Sequence, residues 1–250
     1  MEVHHHPDLH HERKKFREYL LECLMIFMAV TLGFFAETIR EHISEKHRER
    51  EYIIGLVNDL RNDTSSLKGI IARVDLELRG IDTLMNISKD HFTNPSVQDS
   101  LFFYSLEYTF NLHTFEFNDL TLVQLRNAGG YSLIKTSKVA DSIAAYESKN
   151  NEIKIEERFY VDAYIQTMAV FRQMFDQTLT DSFFQSWKLK KKIPAEMDVL
   201  ISRDQEKMKL LFNNYWSYNR VLLYYNLMLK DHLKYLNGFM VFLKQKYDLE

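Results

Sequence analysis

The chain has 250 residues, of which 46% are hydrophobic and 27% charged, and its formal net charge at pH 7 is −3. This balance is that of an ordinary globular protein, and the weakly negative charge excludes binding to nucleic acid through bulk electrostatic attraction. With 7 glycines and 3 prolines, the chain has few residues that interrupt regular structure, so long helices and an all-α fold are expected. The single cysteine, Cys23, excludes an internal disulfide.

Residues 1–18 form a basic N-terminal tail that is rich in histidine. Neutral imidazoles bind zinc, nickel or copper, so this tail is a candidate for weak metal binding or pH sensitivity. A structural zinc site needs ligands in fixed geometry, which a short tail interrupted by Pro7 does not offer. The alternatives are a disordered tail and histidines contributed by an artificial tag. The histidines concerned are His4, His5, His6, His10 and His11.

Residues 19–36 form the most apolar segment of the chain, with LLECLMIFMAVTLGFFA at Leu20–Ala36. A helix that is apolar on every face is buried in a large core or in lipid, and its position near the N-terminus favours lipid. We therefore predict a transmembrane helix. The alternatives are a cleaved signal peptide, disfavoured by the bulky Phe34 near the expected cleavage site, and the buried helix of a soluble protein.

Basic residues flank this predicted transmembrane helix on both sides. They are packed more tightly before it, where Arg13, Lys14, Lys15 and Arg17 stand. Positively charged flanks remain on the cytoplasmic side of a membrane. The pattern therefore predicts a cytoplasmic N-terminus and a large domain outside the cytoplasm.

One stripe of this helix carries small and acidic side chains, namely Glu22, Ala29, Gly33 and Glu37, within about 80° of one another. The pair Ala29 and Gly33 allows two helices to approach closely in lipid, and a carboxyl group in the membrane prefers a protein neighbour to hydrocarbon. The stripe predicts self-association. The alternatives are a single helix with a chance glycine and an oligomeric ion-conducting pore lined by Glu22.

More than half of residues 37–50 are charged, which predicts a solvated stalk helix, and a helical bundle is expected to follow over residues 51–250. The bundle begins with a strict 4-3 alternation of mostly apolar residues. This alternation keeps its phase across the polar run from Asp63 to Ser66. This spacing predicts one unbroken helix from Glu51 to about Ile87. The alternating positions are Ile53, Val57, Leu60, Thr64, Leu67, Ile71, Val74, Leu78, Ile81 and Met85.

Helical periodicity continues to the end of the chain, and no strand run is evident. Long helices in water bury their apolar sides against one another, and antiparallel neighbours are the simplest arrangement, so an elongated up-down bundle of three or four long helices is expected. The further helices are predicted at residues 97–112, before the stop at Gly129 and Gly130, from Ser137 to about Leu179, and from Asp204 to about Tyr247.

A predicted loop over residues 187–194 carries a run of lysines. The run consists of Lys188, Lys190, Lys191 and Lys192. Short lysine runs are common on solvated surfaces, and this is the favoured interpretation. The alternative is contact with anionic lipid headgroups.

The sequence contains no motif typical of catalysis or of a bound cofactor. It has no glycine-rich phosphate loop and no His-Glu-x-x-His pattern, so an enzyme is not expected. The single histidines His113 and His232 are interpreted as structural. Five aromatic residues crowd the last helix, where bundle packing is the plain interpretation and a pocket for a small ligand the alternative. These residues are Tyr215, Trp216, Tyr218, Tyr224 and Tyr225.

The segment FNDLTLVQLRNAGGYSLI, at Phe117–Ile134, follows a basic tail, an early apolar span and a charged stalk. In this order of parts the chain resembles a family of uncharacterised bacterial membrane-anchored proteins. The resemblance implies a protein of the bacterial inner membrane and adds no site residue.

These observations together predict a membrane-anchored interaction or scaffold protein. Its partners would be the lipid bilayer and either its own copies or another membrane or envelope protein. The alternatives are an extracytoplasmic ligand-sensing domain that signals through a partner and the ion-conducting assembly already described.

Overall fold

A computed structural model describes residues 16–87, 92–127, 129–180, 184–185, 188–189 and 198–249. The chain divides into two compact units, Met1–Glu51 and Tyr52–Glu250. Over the described residues the all-α fold is confirmed, while the finer four-part division of the chain stays a prediction. The helices are α1 (Phe16–Asn86), α2 (Pro95–Thr109), α3 (Leu120–Asn127), α4 (Ser137–Met174) and α5 (Gln205–Tyr247).

Helix α1 is unbroken over 71 residues. The positions of the predicted 4-3 alternation between Ile53 and Met85 are all buried or half-buried, which confirms the predicted apolar side. Asp63 and Thr64 are both buried within it, so the polar run there does not interrupt the helix. A constant apolar period keeps one side of a helix in the core, and this packing outweighs the weak helix propensity of a few polar residues.

The second leg of the bundle runs antiparallel to α1 and consists of α2, the non-helical residues 111–119 and α3. The ring of Tyr108 lies against Gly80, and ten residues later the Asn118 N–H donates to Asp63 Oδ1. The predicted second helix was expected to reach Leu112 but ends at Thr109, because the backbone beyond it bonds to side chains of α1 and α4 instead of continuing the helix.

Helix α4 runs parallel to α1. The Tyr146 hydroxyl donates to Asp63 Oδ2 at 2.7 Å. Fourteen residues further along α4, Tyr160 stacks on Tyr218, whose hydroxyl donates to Glu77. Contacts therefore advance in the same direction on both helices.

Helix α5 runs antiparallel to α4 and completes the bundle. Lys149 Nζ pairs with Asp231 Oδ2 at 2.7 Å, while the later Tyr160 of α4 meets the earlier Tyr218 of α5. The predicted start of this helix is confirmed, because the Asp204 side chain caps it. The legs of the bundle therefore run up, down, up and down, as predicted.

Two short strands, β1 (Phe184–Gln185) and β2 (Lys188–Leu189), pair antiparallel before α5. The prediction of a plain loop over 187–194 is therefore wrong at Lys188, whose backbone belongs to β2; the other lysines of the run, Lys190, Lys191 and Lys192, lie outside the described residues. The predicted histidine tail, with His4, His5, His6, His10 and His11, also lies outside them.

The core of the second unit consists of two apolar clusters. The larger is formed by α1, α4 and α5 together with α3 and its flanking residues, and it contains the fully buried rings of Tyr146, Tyr160 and Tyr225. The smaller is formed by α2 with the end of α4 and the start of α5, where Phe102 stacks on Phe171 with ring centroids 5.9 Å apart. Aromatic side chains bury large apolar areas, so these clusters provide much of the stabilisation.

Candidate functional sites

No residue in the apolar part of α1 near the N-terminus is buried. An 18-residue window of this helix has a mean hydropathy of 2.0, and none of the window is buried. Phe27, for example, is 65% exposed and Phe34 72% exposed. Soluble proteins rarely expose contiguous apolar patches beyond about a few hundred Å². Helix α1 is thus long and apolar enough to cross a membrane.

The predicted association stripe lies on this uncovered surface. Ala29, Gly33 and Glu37 are exposed, and Glu22 is half-buried. A methyl group added at Gly33 would meet no atom within 4 Å, so space for a close neighbour is open there. Glu37 accepts a hydrogen bond from Arg40 Nε at 2.9 Å. Glu37 therefore has a partner within its own helix, one turn away.

Inside the second unit, two aspartates of α1 hold the non-helical residues 111–119 and the start of α3. The Asn118 N–H donates to Asp63 Oδ1 at 2.9 Å, and the Thr121 N–H donates to Asp59 Oδ2 at 2.9 Å. Backbone N–H groups outside a helix lack intrahelical acceptors, and burying them unpaired is costly. The carboxylates of α1 supply those acceptors.

Helix α4 supplies two further acceptors to the same segment. The Phe115 N–H donates to Glu157 Oε2 at 2.9 Å, and the His113 N–H donates to the Tyr160 hydroxyl at 3.1 Å. Glu157 Oε2 also accepts from the Tyr225 hydroxyl at 3.0 Å. This hydrogen bonding gives the carboxylates a structural role, and it accounts for several polar residues on the inner sides of the helices.

His232 lies in an aromatic surround and has an exposed fraction of 1%. Its ring stacks on Tyr146, with centroids 5.9 Å apart, and meets the edge of Phe117 at 5.7 Å. Neither ring nitrogen has a hydrogen-bond partner among the described residues. Burial, with a smaller contribution from the charge of Lys149, lowers the pKa of His232 to about 4, so its imidazole is neutral at pH 7. The interpretation of this histidine as a core residue agrees with its burial.

Glu77 is the second buried ionisable group without full hydrogen bonding. Its side chain is 3% exposed. One carboxyl oxygen accepts from the Tyr218 hydroxyl, while Oε2 has no hydrogen-bond partner within the described ranges and lies 4.0 Å from His113 Nε2. Burial raises the pKa of Glu77 to about 8, although the bond from Tyr218 opposes this rise. Glu77 is therefore largely protonated at pH 7.

A cleft of about 310 Å³ opens beside Glu77, between α1 and the end of the α2 leg. Arg73 stands one turn before Glu77 and is exposed, and no carboxylate of the described residues lies within ion-pair distance of it. The cleft is lined by Arg73, Leu76, Glu77, Glu107, Tyr108, Asn111 and His113.

Sequence reasoning did not find this cleft. The available signal was the position of Glu77, three residues after Val74 and four before Ile81, which places a carboxyl group on the apolar side of α1. Such a residue is rarely buried without a partner. In the part of the chain that the structure describes, no group of three or more His, Cys, Asp or Glu side chains is arranged to hold a metal ion.

The fold and these sites define an all-α bundle whose first helix continues into an uncovered apolar segment. Comparisons with protein-family models, with curated proteins and with solved structures find no match to this chain. The resemblance to bacterial membrane-anchored proteins therefore stays a prediction.

Proposed function

We propose that this protein is a membrane-anchored helical interaction protein without catalytic activity, held in the bacterial inner membrane by the apolar part of α1. The observation that carries the proposal is the absence of any burial across an 18-residue window of mean hydropathy 2.0. Side chains such as Ile26, 66% exposed, would lie in water in a soluble monomer. Transfer into hydrocarbon removes that unfavourable exposure.

The stripe of Glu22, Ala29, Gly33 and Glu37 is the proposed association surface. Close approach of two helices in lipid relies on small side chains, and the open space at Gly33 supports this use. The basic residues before the helix, Arg13 to Arg17, support a cytoplasmic N-terminus, with the unit Tyr52–Glu250 outside the cytoplasm. The partners are then a second copy of the chain or another envelope protein.

Membrane partition tests the anchor. Full-length protein is expected to remain with membranes after an alkaline carbonate wash and to need detergent for release. The double variant Phe27→Lys and Val30→Lys is expected to leave the membrane, because charges near the centre of a spanning helix are costly. The matched control places the same charges at Ile155 and Phe159, which are exposed on α4. Wild-type protein that is soluble without detergent would contradict the proposal.

Protease protection tests the orientation. In intact spheroplasts, protease added from outside is expected to cleave the unit Tyr52–Glu250. Cleavage only after lysis would place that unit in the cytoplasm and reverse the proposed sidedness without removing the anchor.

A second candidate function is ligand sensing outside the cytoplasm, with the signal passed to a partner. The specific observation in its favour is the cleft beside Glu77, where a buried carboxyl oxygen has no partner among the described residues. Ligand pockets are concave and combine apolar contact with polar groups that fix the orientation of the ligand. This cleft offers Leu76 and the ring of Tyr108 for apolar contact, and its other five lining residues are polar or charged.

A further inference from the structure

The cleft beside Glu77 contains an acid and a base that do not pair with each other. Arg73 and Glu77 are four residues apart on α1 and so share one face of the helix. Side chains at this spacing often form an ion pair. Here Glu77 turns inward to Tyr218, and Arg73 stays exposed. A guanidinium group and a carboxyl group, the latter neutral until it loses its proton, are thereby presented separately to one cleft.

The remaining walls of the cleft suit a small ligand with an apolar portion. Leu76 and the ring of Tyr108 provide apolar contact, and Asn111 provides an amide. The carboxylate of Glu107 adds a second acidic group. A volume of about 310 Å³ lies at the lower end of the range of about 300–1,000 Å³ for ligand pockets. The cleft therefore fits a molecule of about the size of an amino acid.

We propose that this cleft binds a small zwitterion of α-amino-acid size, whose ammonium group pairs with Glu77 and whose carboxylate pairs with Arg73. A buried acceptor that lacks a donor is costly, and an ammonium group supplies several N–H donors to it. A guanidinium group matches a carboxylate with paired N–H donors. A ligand with both charges satisfies both side chains at once.

His113 stands next to the buried oxygen of Glu77. Its Nε2 lies 4.0 Å from Glu77 Oε2, and its side chain is 18% exposed. In the proposed complex the His113 side chain rotates aside to admit the ammonium group. Burial, together with the charge of Arg73, lowers the pKa of His113, so its imidazole is neutral at pH 7 and does not repel an ammonium group.

Ligand binding is expected to release a proton. Near pH 7 the carboxyl group of Glu77 is largely protonated, and pairing with an ammonium group requires it to ionise. The tyrosines that face Glu77 from the other helices, Tyr160 and Tyr164 of α4 and Tyr218 of α5, have pKa values raised above 10 and stay neutral. The proton released near pH 7 therefore comes from Glu77.

Calorimetry of the full chain in lipid nanodiscs tests the inference. The common L-α-amino acids are titrated one at a time at pH 7 in two buffers of different ionisation enthalpy. At least one is expected to bind saturably with release of about one proton. Butylamine and butyrate each lack one of the two charges and are expected to bind at least about tenfold more weakly. Butylamine binding as tightly as the amino acid would overturn the assignment.

Variants identify the two contacts. Arg73→Ala is expected to weaken binding by about tenfold or more. The matched control Lys68→Ala removes an exposed cation from another face of α1 and is expected to bind as wild type. Glu77→Gln is expected to abolish the proton release. If Glu77→Gln does not fold, the affinity of Arg73→Ala and the number of protons that the wild-type protein releases on binding still test the proposed contacts.

Three further results would overturn the inference, namely no binding by any amino acid, binding without proton release, and wild-type affinity in Arg73→Ala. The inference rests on the proposed sensing role only for the biological purpose of ligand binding, and the binding itself is measured independently of that role. Partition into the membrane and self-association are measured separately, so failure of the anchor or of the association surface leaves the binding result intact.

Discussion

At the scale of single residues, Glu77 and His232 are the two buried ionisable groups with the clearest consequences for pH dependence. Burial favours the neutral form of each, so it raises the pKa of Glu77 to about 8 and lowers that of His232 to about 4. The two groups have opposite effects on the pH dependence of stability, because Glu77 loses a proton when it ionises and His232 gains one.

Glu77 is expected to make the protein less stable as the pH rises from about 4.5 to about 8. In this range the unfolded chain releases a proton that the folded chain retains, so the free energy of unfolding falls as the pH rises. The total effect is on the order of 3 to 5 kcal/mol. Glu77→Gln removes this dependence, which chemical denaturation at pH 5 and pH 8, followed by circular dichroism, would measure. Glu152→Gln, at an exposed position of α4, is the control and should keep the wild-type slope.

His232 is expected to act in the opposite direction, below about pH 6.5. There the unfolded chain takes up a proton that the folded chain refuses until about pH 4, so stability is lost as the pH falls. The effect is on the order of 2 to 3 kcal/mol. In His232→Phe the loss of stability between pH 7 and pH 4.5 should shrink by this amount in the same denaturation assay. The exposed His47, replaced by Phe, should change nothing; an equal response of both variants would refute the assignment.

At the scale of elements, the second leg of the bundle is the irregular one. Its middle, residues 111–119, makes backbone hydrogen bonds to Asp63, Glu157 and Tyr160 of neighbouring helices. Upstream of this stretch, α2 approaches α1 so closely that a Cβ atom at Gly80 would lie 1.9 Å from Tyr108 Cγ. Glycine is therefore required at this crossing.

Gly80→Ala is expected to destabilise the protein by about 1 to 3 kcal/mol, since the ring of Tyr108 must move from its site. Alanine within a helix is otherwise more favourable than glycine by about 1 kcal/mol, so the sign of the effect is informative. Gly69→Ala is the matched control, because no atom lies within 4 Å of the added methyl group, and it is expected to stabilise. Denaturation midpoints of the two variants measure the difference. Equal stabilisation by both would contradict the close approach.

At the scale of the whole molecule, the uncovered apolar segment is the dominant feature. It belongs to the same unbroken helix as the first leg of the bundle. Gly33→Ile is expected to weaken self-association in lipid by about tenfold or more, because the added side chain separates the two helices. Energy transfer between labelled copies in vesicles, at varied protein-to-lipid ratio, gives the affinity.

The control for this measurement is Thr31→Ile, which places the same isoleucine side chain on the opposite face of α1. It is expected to leave association unchanged. If both variants associate as wild type does, the stripe is not the contact surface. A loss of association in both would indicate a general effect of bulk within the apolar segment.

The elements that could be predicted from the sequence share one physical basis, which is local periodicity. The 4-3 alternation from Ile53 to Met85 predicted the buried side of α1, and helical periodicity predicted that the last helix begins at Asp204, which is the N-cap of α5. The end of α2 could not be predicted in this way, because it depends on acceptors such as Glu157, 42 residues from Phe115 in sequence.

By itself, the sequence determined the all-α class and the apolar segment, since both follow from the spacing of residues along a helix. It also determined the up-down order of the legs, because long helices that follow one another pack most simply as antiparallel neighbours. Only the tertiary structure decided that Glu77 is enclosed beside Tyr218, a residue 141 positions away, and that Arg73 faces the same cleft without a carboxylate partner among the described residues. Burial and pairing arise from contacts between distant segments, and the ionisation of a side chain depends on them more than on its neighbours in sequence.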